Sequence, residues 1–106
     1  MKIGVVIYSN DSETVWNAFR FGSFALGMED EVKFFLMDRG VELEKFDTAQ
    51  FEVSEKYRDF IEGGGKVFTC GTCLGVRKQK APRFSTVATL KELYEIVKQS
   101  DRLITF

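Results

Sequence analysis

The chain has 106 residues, 44% of them hydrophobic and eleven of them phenylalanine, which points to one domain over residues 1–106 with an apolar core of its own. Fifteen basic residues against sixteen acidic leave a net charge of −1, which argues against the basic footprint of a nucleic-acid-binding protein. No apolar run approaches the ~20 residues that cross a bilayer, so no membrane partner is expected.

Met1–Tyr8 reads as a strand that is apolar on both faces, as the interior of a parallel sheet demands. One lysine followed by a strand-length apolar run, with no small-residue cleavage site, is a strand and not a signal peptide, so a cytoplasmic location is expected. Ser9-Asn10-Asp11-Ser12 is a turn in which Ser12 is the expected cap of a helix from Glu13 to Met28. Val15, Ala18, Phe19, Gly22, Ala25 and Leu26 share the face that would pack on a sheet. Phe21, Phe24 and Met28 form a second apolar stripe, fit for an oligomer interface or for burial beneath a long loop.

Glu31–Asp38 is the second strand, turning at Arg39-Gly40-Val41, and residues 42–50 read as irregular. A helix over Phe51–Glu62, with Val53, Tyr57, Phe60 and Ile61 inward, ends at Gly63-Gly64-Gly65. Lys66–Cys70 is the third strand and Gly71–Lys78 the helix after it, broken by the only proline, Pro82. Ser85–Ala88 is a short strand. Thr89 caps a helix to Gln99 with Leu90, Leu93, Tyr94 and Val97 inward, and Arg102–Phe106 is a final strand. Strands and helices alternating at this spacing specify an α/β fold, a parallel sheet with helices on both faces. Ligands of such sheets bind at the carboxyl ends of the strands, where Ser9–Ser12, Asp38–Val41 and Cys70–Cys73 should gather.

Both cysteines lie in Cys70-Gly71-Thr72-Cys73 and the chain has no histidine, so sulfur is the natural nucleophile and mechanisms that need histidine are excluded. Cys70 closes a strand and opens a helix, where backbone N–H groups and the helix dipole favour a thiolate, unless it is a buried, inert thiol. Gly71 lets an anionic group approach the backbone. Of the cations Arg77, Lys78, Lys80 and Arg83, any that fold back would strengthen the thiolate, whereas the plainer expectation for at least two of them is a solvated helix end. Cys73 can resolve an adduct on Cys70 or serve as a small core residue. A single CxxC supplies two metal ligands where structural zinc takes four, so no metal is expected. The loop after the first strand lacks glycine and carries carboxylates, which weighs against a flavin phosphate, and no cofactor is expected.

The first strand with its long helix, Phe34-Phe35-Leu36-Met37-Asp38-Arg39-Gly40-Val41, Gly64-Gly65-Lys66-Val67-Phe68-Thr69-Cys70-Gly71-Thr72-Cys73, Ala88–Leu93 and Asp101–Phe106 follow in an order that resembles the DsrE/DsrF-like group of small sulfur-relay proteins. The resemblance implies a three-layer α/β/α domain with a five-stranded parallel sheet, flavodoxin-like in outline. It also implies oligomers built from trimers (a trimer or hexamer of like chains) and sulfur-donor and sulfur-acceptor proteins as partners. The cysteine that carries a persulfide in sulfur-transferring members corresponds to Cys70. Read from the residues beside it, Cys73 would be the resolving thiol, with Gly71, Thr72 and Arg77 around the bound sulfur. Those members commonly have glycine eight residues after the cysteine, where this chain has Lys78, so its helix is expected to end differently, with Gln79–Pro82 as the turn. A CxxC thiol–disulfide oxidoreductase and a non-catalytic oligomeric subunit are the competing readings.

Overall fold

A computed structural model describes residues 1–106 throughout. Five parallel strands, β1 (Lys2–Ile7), β2 (Glu31–Leu36), β3 (Lys66–Cys70), β4 (Thr86–Ala88) and β5 (Arg102–Thr105), form one sheet in the order β4-β3-β2-β1-β5. The α-helices are α1 (Ser12–Gly27), α2 (Val53–Glu62), α3 (Gly71–Arg77) and α4 (Leu90–Gln99). This is the three-layer α/β fold expected.

Period-two alternation divides each strand between two cores. Register pairs Val5 with Phe34 and Phe34 with Val67, so these residues share one face. Phe19 of α1 stacks on Phe34 with ring centroids 4.6 Å apart, and Phe60 of α2 reaches the same ring at 4.6 Å. Val6 and Phe35, on the opposite face, are buried on the side that α4 covers through Ile96. The first face is the larger apolar core and includes the whole inner stripe of α1 except Leu26, which is half-buried.

Several expectations need correction. Asp11, not Ser12, caps α1: its side chain accepts from the Thr14 N–H at 2.9 Å, while the Ser12 hydroxyl donates to the carbonyl of Phe46. A 3-10 segment, Asp38–Lys45, fills part of the stretch read as irregular; Val41 and Leu43 anchor it in the core. α2 starts at Val53, since Phe51 lies edge-on to the Trp16 ring instead.

The inward face of α4 also differs from the expected one. Ile96 is its buried residue and Leu93 packs beside it, whereas Leu90 and Tyr94 are 65% and 67% exposed and Val97 is exposed too. Gly4 opens space on β1 for Ile96, and the 100° step per residue then turns Val97 outward. The outer stripe of α1 is exposed, with Phe24 at 70%, so no loop of this chain covers it.

No helix is long and apolar enough to cross a membrane.

Candidate functional site

β3 ends at Cys70 in an extended conformation and α3 begins at the next residue. The Cys70 sulfur therefore faces the first turn and accepts the N–H of Cys73 at 3.5 Å. Both cysteines are free. Cys70 is 5% exposed and part of the core, while Cys73 is half-buried and is the thiol that solvent reaches.

The 3-10 segment supplies the second wall. Asp38 follows directly on Met37 at the end of β2 and has a left-handed backbone, φ 53°, that its short polar side chain tolerates better than most. The Met37–Asp38 peptide is held at both ends. Its N–H donates to the Cys73 sulfur at 3.2 Å, and its carbonyl accepts the Gly40 N–H at 2.9 Å. Gly40 in turn lies against the carbonyl of Ile7, so close that a Cβ would strike it.

Arg77, one turn beyond Cys73, joins the two walls. Its Nε donates to Glu42 Oε2 at 2.9 Å, its Nη2 lies 3.5 Å from Asp38 Oδ1, and its Nη1 donates to the Cys73 carbonyl at 3.2 Å. Burial pushes the Cys73 thiol above its ordinary ionisation range; the Asp38 N–H pulls against that shift, the Cys70 thiol adds to it, and the Arg77 charge opposes it. Cys73 is thus a protonated thiol at neutral pH, with two groups already placed to favour its anion.

Of the expected site residues, Cys70, Cys73 and Arg77 come together. Gly71 is half-buried against Val87 of β4, and Thr72 is exposed on the outer side of the first turn. Arg77 is not a free cation for a substrate, because Glu42 and Asp38 hold it. Lys78 and Lys80 are exposed, and Arg83 turns to the Phe84 ring, 5.2 Å from its centroid. The solvated-end reading thus fits three of the four cations. Lys78 itself takes the left-handed conformation, φ 50°, that ends α3, so the helix stops at Arg77 and the turn begins with the lysine, not after it. Of the three segments expected to gather, Asp38–Val41 and Cys70–Cys73 meet, whereas the Ser9–Ser12 turn bonds to Phe46, just past the 3-10 segment. No three His, Cys, Asp or Glu side chains converge as metal ligands.

The sequence places Asp38 at this edge but gives it no role, and it gives no sign of Glu42. Asp38 acts through its backbone, which no residue-type pattern exposes, and Glu42 lies in a stretch that reads as polar and irregular.

The model of the DsrE/DsrF-like family matches residues 1–106. The chain is 32% identical over 114 residues to the uncharacterized protein MJ0989 of Methanocaldococcus jannaschii, covering 100% of both chains. It is 36% identical over 100 residues to the uncharacterized protein MK0008 of Methanopyrus kandleri, covering 89% of this chain and 83% of that one. Among solved structures, the ychN protein of E. coli is similar with a TM-score of 0.83 at 20% identity, covering 100% of both chains. MTH1491 of Methanobacterium thermoautotrophicum, a protein of unknown function, is similar with a TM-score of 0.77 at 10% identity over 97% of each chain. At these identities the solved structures speak to the fold.

Proposed function

We propose a sulfur-carrying role for this chain, which belongs to the DsrE/DsrF-like family: sulfane sulfur is held as a persulfide on the Cys70–Cys73 pair and handed to an acceptor thiol. The observation that carries this reading is the pairing of two free thiols at one sheet edge, the outer of which receives the Asp38 N–H at 3.2 Å. Burial of Cys70 revises the order of events. Cys73 meets the donor first: its thiol gives up its proton to water, the thiolate so formed attacks the outer sulfur of a donor persulfide, and the donor leaves as a thiolate. Cys70 then takes that sulfur by the same exchange, forming Cys70–S–S⁻ and freeing Cys73, or an acceptor thiolate takes it directly from Cys73. No metal or external oxidant enters the balance.

Sulfur-donor and sulfur-acceptor proteins are the proposed partners. The exposed stripes Phe21/Phe24/Met28 and Leu90/Tyr94/Val97 support assembly of like copies. A dithiol oxidoreductase fits less well, since the cysteine at the head of the helix, the attacking thiol in that chemistry, is the buried one.

Intact-mass analysis after incubation with glutathione persulfide tests the proposal. A one-sulfur adduct on the wild-type chain, lost in Cys73→Ser and retained in part in Cys70→Ser, is expected. No adduct on the wild type, or an undiminished one on the double serine variant, overturns it.

A further inference from the structure

We propose that the backbone amide of Asp38 stabilises negative charge on the Cys73 sulfur while sulfane sulfur is handed on, and that Arg77 and Glu42 position that amide. The purpose of the device rests on the sulfur-carrier reading; its geometry does not.

When an acceptor thiolate attacks the outer sulfur of Cys73–S–SH, a new S–S bond forms to the acceptor. The bond between the outer sulfur and Cys73 Sγ breaks, the electron pair stays on Sγ, and the proton leaves with the outer sulfur. Charge therefore develops on the atom that already lies 3.2 Å from the Asp38 N–H. A donor fixed before the reaction stabilises such charge without having to reorganise.

Two features fix this one. The peptide that carries the N–H is tied at its carbonyl end to Gly40, and the left-handed Asp38 backbone turns the chain away immediately afterwards. A left-handed non-glycine residue persists where its surroundings over-determine it. Arg77 provides that constraint from the other wall: one planar guanidinium, anchored on its own helix by the Cys73 carbonyl, contacts Glu42 and Asp38 together, so the 3-10 segment cannot move from α3 without breaking both contacts. Lysine, a point charge, cannot make that fork.

The test measures alkylation of Cys73 by iodoacetamide in the Cys70→Ser chain from about pH 6 to about pH 10, which reports when the thiol ionises. Arg77→Gln should slow alkylation at neutral pH by about threefold to tenfold and move the midpoint upward, and Arg77→Lys should recover little of it. Glu42→Gln gives the sharper discrimination. Removing the carboxylate that neutralises Arg77 leaves more positive charge near the thiol and eases its ionisation, so a charge-only role for these residues predicts faster alkylation. A positioning role predicts slower alkylation, because the freed Arg77 no longer holds Asp38 in place.

Faster alkylation in Glu42→Gln, full recovery in Arg77→Lys, or an unmoved midpoint in Arg77→Gln would each overturn the proposal. Should Arg77→Gln fail to fold, Glu42→Gln decides alone. Alkylation needs no persulfide, so this device and the sulfur-carrier reading fail separately.

Discussion

Gly40→Ala probes the joint between the sheet and the thiol site. The residue is buried, its backbone conformation suits alanine, and the main obstacle is the Ile7 backbone carbonyl that a Cβ would strike, with the Ile7 Cγ2 close behind it at 3.1 Å. That carbonyl also accepts the Met37 N–H at 2.9 Å. Because β1 is paired on both sides, with β2 and β5, relief must come from the 3-10 segment moving outward, which stretches the Met37 bond and draws the Asp38 N–H off Cys73. Overpacking of this kind costs about 1–3 kcal/mol, and a weakened buried hydrogen bond about 1 kcal/mol more. A total of about 2–4 kcal/mol corresponds to a melting point lower by about 8–16 °C for a chain of this size. The assay is thermal unfolding followed by circular dichroism, with Cys73 alkylation as a second readout. Gly27→Ala is the control: no atom lies within 4 Å of its would-be Cβ, so the variant should be neutral or up to about 1 kcal/mol more stable. A Gly40→Ala protein within about 0.5 kcal/mol of wild type, with unchanged alkylation, refutes the reasoning, because surface-like tolerance is incompatible with a backbone clash.

Lys78→Gly should stabilise the chain by up to about 1 kcal/mol in urea titration, since it relieves a left-handed lysine at the end of α3; a loss of stability would count against the cap geometry. Burial pushes the Tyr57 hydroxyl up to about 12, so its contribution is fully present below about pH 10 and is lost as pH rises toward 12. Tyr57→Phe should cost about 1 kcal/mol at neutral pH through loss of the bond to the Arg83 carbonyl, yet show a smaller alkaline loss of stability than wild type. If like copies assemble through the outer stripe of α1, Phe24→Glu should lower the mass measured by light scattering toward that of one chain; an unchanged mass would count against that stripe as an interface.

The α/β order of elements was legible because the apolar runs at Lys2–Ile7, Glu31–Leu36 and Lys66–Cys70 are too short for helices and are separated by clear turn chemistry. Periodicity gave the correct inner face of α1, a long helix with two distinct stripes. It failed on α4, where Leu90, Tyr94 and Val97 form as good a stripe as Ile96 and Leu93 do. What decides between them is the space above Gly4, a property of the assembled sheet and not of the helix. The exposed stripe is then a surface with the composition of a core, which is why a sequence rule that sends apolar residues inward chose it.

The thiol site divides in the same way. That a cysteine stands where β3 meets α3 follows from local pattern, and so does its neighbour one turn on. The reactivity of either depends on groups far away in sequence: the Asp38 amide, 35 residues before Cys73, and Glu42, 35 residues before Arg77. The basic run from Arg77 to Arg83 looked like the natural source of positive charge, but an exposed cation gains little from facing a thiol across water. Arg77 differs from Lys78, Lys80 and Arg83 because α3 carries it into the notch between two carboxylates. Those carboxylates neutralise much of its charge, so its value to the sulfur lies less in its own field than in where it holds the Asp38 N–H. Net charge along the chain therefore misleads at this site, and the arrangement of dipoles around Cys73 determines its chemistry.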